Sequence, residues 1–307
     1  MSQLELNYMP IASEARTRDQ QDLMSFPCFS LSKKKRIDIV RFEDSKGNFV
    51  KVSPHQEFGM ATVWDFDIML YFVSYIRHLV DRDQKIPNTF KVSGYDILKF
   101  CGRGTGKSQY EQLRKGLQRL SSTFVSTNIR EDSIQDEEIE RKNTYLNFTW
   151  VANFKEDTVT RINKKTGKKK EISRSYEIQL PQWFVDGVVN SKLVLGINPS
   201  YFQLTGGLER WLYRTVRKFS GINPDGMRYT LKHLYERSGS NSPYREFKRK
   251  IKNVVLKGNI PDYHLGLYEM DGKDWLHFSK KEDDPKDSLP SFEERMNSFK
   301  LLAESPR

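Results

Sequence analysis

YDILKFCGRGTGKSQYEQLRKGLQRL at residues 95–120 and YTLKHLYERSGSNSPYREFKRKIKNV at residues 229–254 decide the fold, because the second repeats the pattern of the first. Overlaid without a gap at a constant offset of 134, Tyr95 falls on Tyr229, Ile97 on Leu231, Phe100 on Leu234 and Arg103 on Arg237. Further along, Ser108 falls on Ser242, Leu113 on Phe247, Leu117 on Ile251 and Leu120 on Val254. Each copy reads as a short amphipathic segment, a Gly/Ser turn, a serine expected to cap, and a longer helix with apolar residues at helical spacing. The expectation is a helix-turn-helix, twice.

The flanking sequence extends each copy in the same order. Val63 to Val80 (VWDFDIMLYFVSYIRHLV) is the most apolar stretch and reads as a core helix before the first copy, as LERWLYRTVRKFS (208–220) does before the second. After the first copy, TFVSTNIR, TYLNFTWVANF and SRSYEIQL carry the β-branched and aromatic residues of strands. An acidic loop, EDSIQDEEIE (131–140), separates the first two, and RINKKTGKKK (161–170), six of whose ten residues are basic, separates the last two. A hairpin with a basic tip after a helix-turn-helix is a wing. YHLGLYEM and DWLHFSK, joined through Asp271-Gly272-Lys273, supply a second. The expected fold is therefore α+β, two tandem winged-helix domains. Its divisions are an arm with lead-in strands (1–55), domain one (56–190), domain two (191–280) and a charged tail (281–307) ending in an amphipathic helix. The lead-in holds a basic cluster, Lys33 to Arg36, ahead of an apparent hairpin, IDIVRFEDSKGNFVKV.

Charge gives the folds a partner. The 307 residues include 51 Lys and Arg against 40 Asp and Glu, a net charge of +11, so a polyanion is the expected ligand, and nucleic acid is the simplest one. On the longer helix of the second copy, the face opposite the apolar stripe of Tyr244, Phe247, Ile251, Val254 and Val255 holds Arg245, Arg249, Lys252 and Asn253, with Lys248 at its flank, and Ser242 and Tyr244 at the helix start join the candidate contacts. In the first copy Lys107, Ser108, Lys115, Gln118 and Arg119 face outward, a weaker set beside Glu111. The tip lysines Lys164, Lys165, Lys168, Lys169 and Lys170 complete the candidate DNA contacts. Arg245 and Arg249 suit bidentate reading of guanine, Lys248 and Lys252 suit phosphate.

Other chemistry finds little purchase. CGRGTGKS (101–108) approximates a phosphate-binding GxxxxGK[ST] loop, but Cys101 stands where the first glycine is required and the preceding segment reads as helix rather than strand. An ATP-dependent enzyme built on residues 102–108 is the weaker alternative. The five histidines show no His-x-His or HExxH spacing, and no GxSxG occurs, so no catalytic residue, metal ligand or cofactor is expected. Cys28 and Cys101 lack CxxC spacing and suggest a reducing cytoplasm. No run is apolar enough to span a bilayer. Trp183-Phe184 and Trp211 with Tyr213 sit in apolar patterns that favour core packing over base stacking.

GMATVWDFDIMLYFVS, the paired order of elements and SGSNSPYREFKRKIK together resemble the plasmid replication initiator protein A family, over roughly residues 25 to 280. The resemblance implies a bacterial plasmid protein that binds repeated origin sites in double-stranded DNA, helps open AT-rich DNA and recruits the host helicase and initiator, without enzymatic activity. It also implies that domain two does most of the reading while domain one adds DNA contact and homodimerisation. A two-domain transcriptional repressor would show the same residues.

Overall fold

The computed structural model describes residues 15–130, 145–162, 169–190, 193–221, 226–281 and residue 297. Its first elements are β1 (Arg18–Gln20), β2 (Val40–Glu43), β3 (Phe49–Ser53), α1 (Phe66–Val80), β4 (Phe90–Val92), α2 (Gly94–Phe100) and α3 (Lys107–Ser122). Then follow β5 (Phe124–Thr127), β6 (Leu146–Thr149), β7 (Asn153–Ile162), β8 (Lys169–Gln179), α4 (Gln182–Val189) and β9 (Val194–Gly196). The remainder comprises α5 (Gly207–Phe219), β10 (Met227–Thr230), α6 (Leu231–Ser238), α7 (Tyr244–Lys257), β11 (Tyr263–Met270) and β12 (Lys273–Lys280). The order helix, strand, helix, helix, strand, strand thus occurs twice, as α1-β4-α2-α3-β7-β8, with β5 and β6 inserted after α3, and as α5-β10-α6-α7-β11-β12. Its sheets match too, β4-β8-β7 and β10-β12-β11, both antiparallel.

Contrary to the constant offset expected from sequence, the register between the two copies changes along the chain. Strand and second helix start at 90 and 94 in one copy and 227 and 231 in the other, an offset of 137, and Gly102 (φ 65°) and Gly239 (φ 60°), both left-handed, stand at the same offset. Along α3 and α7 the buried residues Leu113, Leu117 and Leu120 still match Phe247, Ile251 and Val254 at 134. Three residues turn a helix by about 300°, close to a full turn, so apolar periodicity cannot distinguish the two offsets.

α1 is buried almost all round, Phe66, Ile68, Met69, Leu70, Phe72, Val73 and Ile76 each at 1% exposure or less, which is why its aromatic and β-branched content does not make it a strand. The expected lead-in hairpin forms as β2-β3 and extends into a second sheet, β2-β3-β5-β6. TYLNFTWVANF is not one strand. Fully buried Trp150 and Val151 divide it, leaving β6 in that sheet and β7 in the basic hairpin. The second hairpin turns through Asp271 (φ 53°) and Gly272 (φ 66°), two consecutive left-handed residues as a type I′ turn requires. Phe184, Trp211 and Tyr213 are core residues, as their patterns implied.

Residues 17–30, expected to form part of an arm, are mostly buried instead. β1 pairs with β9, and Asp19, Leu23, Met24 and Cys28 have at most 1% exposure. Asp19 accepts from Arg214 Nε of α5 at 2.6 Å. At the first turn of α1, fully buried Asp67 accepts from Arg103 (2.7 Å), in the turn after α2, and from Arg210 (2.5 Å) of α5. Both halves therefore share one core. The acidic loop, and all of the expected tail helix except residue 297, lie outside the described residues.

Replacing Asp67 with Asn should strand two guanidinium groups away from water, at a cost of about 3–5 kcal/mol. Urea unfolding would check this, with a destabilisation under about 1 kcal/mol contradicting the bridging role.

Candidate nucleic-acid interface

α7 is seated by Phe247, Ile251, Val254 and Val255, and Tyr235 of α6 fixes its approach by packing on Tyr244 and Phe247 and donating to the Ser242 carbonyl (2.9 Å). With that face committed to the core, Arg245, Arg249 and Lys252 are exposed at positions i, i+4 and i+7, one stripe along the helix. Arg249 is paired with Glu246 (2.9 Å), both well exposed, and holds that carboxyl below its ordinary range. Such surface pairs contribute little, so a guanine edge or phosphate can replace the glutamate readily. Lys248 is committed elsewhere. Its Nζ lies 2.7 Å from Asp274 of β12, which raises its pKa, and Tyr244 OH is 3.5 Å from the same carboxylate. Asp274 thereby ties the helix to its hairpin.

The first copy differs. Lys107 and Lys115 are exposed, with Lys107 3.7 Å from Glu111, but Arg119 makes a bidentate pair with Asp65 (both 2.7 Å). Arg119, expected on the outer face, therefore clamps α3 onto the start of α1. Arg114 similarly grips Glu156 of β7 through bonds of 2.7 and 2.9 Å. Gln118 is half-buried. Neither serine caps its helix. Gly106 occupies the N-cap of α3, placing Ser108 inside the first turn, and Pro243 occupies that of α7, leaving Ser242 outside, where its hydroxyl accepts from Lys250 (2.9 Å). The true caps are Ser93 and Thr230, accepting from Asp96 and His233 amides at the starts of α2 and α6.

In the basic hairpin, Lys169 and Lys170 belong to β8, opposite Ile162 and Arg161, whereas Lys164, Lys165 and Lys168 lie outside the described residues. The glycine-rich loop 101–106 follows a helix, α2, and its Arg103 turns inward to Asp67 and the Trp64 carbonyl. Cys28 and Cys101 are free and buried, the Cys28 thiol pushed up to about 12 by that burial. Among the described residues no His/Cys/Asp/Glu group could hold a metal, and no helix is long and apolar enough to cross a membrane.

Two open grooves of about 360 Å³ each flank the segment 31–35. One lies between Lys33, Lys34 and Lys35 and the α3 residues Gln112, Lys115 and Arg119. The other lies between Leu31 and Ser32 and the α7 residues Lys250, Asn253 and Lys257. Composition marks the lysine run as basic, but only the fold brings it beside both helices.

This mixed α/β architecture resembles crystal structures of domains 2 and 3 of RctB. One has a TM-score of 0.60 at 14% identity, covering 84% of this chain and 98% of that one, and a second has a TM-score of 0.56 at 14% identity, covering 83% and 95%. At that identity the likeness is one of fold. A protein of Wigglesworthia glossinidia brevipalpis named "Putative replication protein" is 31% identical over 261 residues, 84% of this chain and 86% of the relative. Residues 18–265 match the family Replication initiator protein A, starting where β1 starts. The chain belongs to the replication initiator protein A family, as the sequence resemblance implied.

The observed caps set an order of stabilities among hydroxyl deletions. Ser93→Ala and Thr230→Ala should each cost about 1 kcal/mol in denaturant unfolding, whereas Ser108→Ala and Ser242→Ala should stay within about 0.5 kcal/mol.

Proposed function

We propose that this initiator is a plasmid protein that binds double-stranded origin DNA in sequence-specific fashion through two tandem winged helices, α7 being the principal reading helix. The observation carrying this reading is the stripe Arg245, Arg249 and Lys252, presented outward on the third helix of its unit while the opposite face is locked into the core. The likeness of the two sheets and of their helix order supports assigning α3 the equivalent place in domain one, with the β7-β8 and β11-β12 hairpins as wings. α7 enters one major groove, with Arg245 and Arg249 toward base edges and Lys252 toward phosphate. α3 enters a second groove about one helical turn away, giving a site of roughly 20 base pairs. Lys107 and Lys115 serve that second contact, and the hairpin lysines add phosphate contacts. Linking two modules raises the effective concentration of each at the other's half-site, so neither must bind tightly alone.

Membership of the initiator family supports the remaining steps: opening of adjacent AT-rich DNA and recruitment of the host helicase and initiator in the cytoplasm. The protein performs them by binding, without a catalytic centre or cofactor of its own. The inward commitment of Arg103 and the helix before the glycine-rich loop support leaving nucleotide out of the mechanism.

Arg249→Ala should weaken specific binding by about 1–3 kcal/mol and relax preference at one base pair, while Lys252→Ala should weaken all sequences about equally. Footprinting and binding to mutated sites, on DNA flanking the protein's own gene, would check both. An Arg249→Ala protein with unaltered sequence preference would remove α7 from the reading role. Replication of an origin-only plasmid supplied with the protein in trans separates initiator from repressor.

A further inference from the structure

We infer that the lysine run Lys33-Lys34-Lys35 is a third DNA-binding element, a fixed basic ridge that grips the phosphate backbone between the two grooves entered by α3 and α7. The inference rests on the duplex-binding function proposed above and assigns a contact to residues outside both helices and both hairpins.

Placement is the first argument. Lys33, Lys34 and Lys35 line the groove beside α3 together with Phe58, Met60 and Trp64, and Leu31 and Ser32 line the groove beside α7 together with residues 206–209. A single short segment therefore runs between the two helices. When two helices occupy successive major-groove segments on one face of a duplex, the surface between them meets the sugar-phosphate backbone flanking the intervening minor groove. Phosphate oxygens are the groups a protein can contact there without reading sequence.

Charge is the second. All three lysines are exposed, and among the described residues none is ion-paired. The carboxylates nearest the grooves are already neutralised: Asp65 by Arg119, and Glu209 by Lys257 at 3.0 Å. Lys33 lies with its Nζ 4.9 Å from the Trp64 ring centroid, and Lys115 adds a fourth exposed cation on the facing helix.

Rigidity is the third. A polar lysine-rich segment would ordinarily be a solvated loop, but this one is fastened at both ends. Ser30 N donates to Ala61 O (2.9 Å) and Ser30 O accepts from Val63 N (3.0 Å). At the other end Arg36 O accepts from Met60 N (2.8 Å), and Arg36 Nη1 donates to the carbonyl of Gly239 (2.6 Å), in the turn leading to α7. Between them Gly59 lets the chain approach closely, since a Cβ there would come within 2.9 Å of Lys35 Cγ and 3.2 Å of Arg36 O. The backbone is thus ordered before DNA arrives, so binding orders only the lysine side chains.

The test uses the full-length protein and a duplex selected by the wild type from a random-sequence pool. Lys33→Gln, Lys34→Gln and Lys35→Gln together should flatten the dependence of log K on log salt by up to about 0.9 for each phosphate no longer neutralised. Base preference should stay as in the wild type, and phosphate-ethylation interference should disappear only from the centre of the site. Replacing all three with Arg should keep the wild-type slope, which separates removal of charge from damage to the loop. A wild type that binds with sequence preference while the Gln variant keeps its salt slope and its central interference overturns the ridge alone. A wild type that selects no duplex overturns the ridge and the proposed function together.

Discussion

The Asp67 carboxylate is the point on which the relative placement of the two halves depends. It is completely buried in the first turn of α1 and receives one guanidinium from the turn before α3 and another from α5. Arg210 is held to its own half, because it also donates to the carbonyls of Leu204 and Phe202 beside Tyr201, so it cannot follow Asp67 if the halves move apart. Swinging one half against the other would take Arg210 from Asp67, leaving a buried carboxylate with Arg103 alone and a guanidinium away from water, which costs far more than losing a surface contact. The distance between α3 and α7 is consequently a property of the folded chain, and so is the spacing of any pair of sites that both helices address.

The segment from β1 onward reinforces that constraint. Asp19 receives Arg214 of α5, whose guanidinium also sits 3.9 Å from the centroid of Phe66 in α1. Lys218 of the same helix donates to Ser25 Oγ, and its burial brings its pKa down to about 8. Farther on, Gly239 carries no Cβ where one would stand 2.6 Å from Pro27 Cβ. The chain from 19 to 36 thus passes between the halves as a clasp and delivers three lysines to the outer surface at its end.

What can be read from sequence is what local chemistry dictates. The continuous apolar run of α1, the stripe of α7, the Asp271-Gly272 turn and the β2-β3 hairpin all announce themselves within a dozen or so neighbours. The clasp does not, because Arg18, Asp19 and Asp22 look like a solvated arm until partners far along the chain are known; the Asp19–Arg214 contact spans 195 residues. Arg119 reads as outward-facing for the same reason, since only the fold brings Asp65 beneath it. The expected serine caps fail on register: the overlay at 134 is correct for the buried stripe, yet the helices start relative to it at different turns. Trp150 divides a stretch with uniform strand propensity, and propensity carries no information about which sheet a strand joins.

The two third helices have the same architecture but hold their cations differently, and this gives physical content to a division of labour. On α3, Arg114 and Arg119 are bidentate to carboxylates of neighbouring elements, with Asp65 itself buried, so turning Arg119 toward DNA would abandon a desolvated anion. On α7 the arginine pair partner is Glu246 of the same exposed helix face, a contact that exchanges with solvent at little cost. Helix α7 can therefore commit its guanidinium groups to base edges, where bidentate geometry carries sequence information. Helix α3 is held in place by the arginines that a reading helix would otherwise present, and contributes point charges from Lys107 and Lys115. In the DNA complex proposed above, sequence discrimination would concentrate in the half-site under α7, with the half-site under α3 and the backbone between them supplying affinity and register.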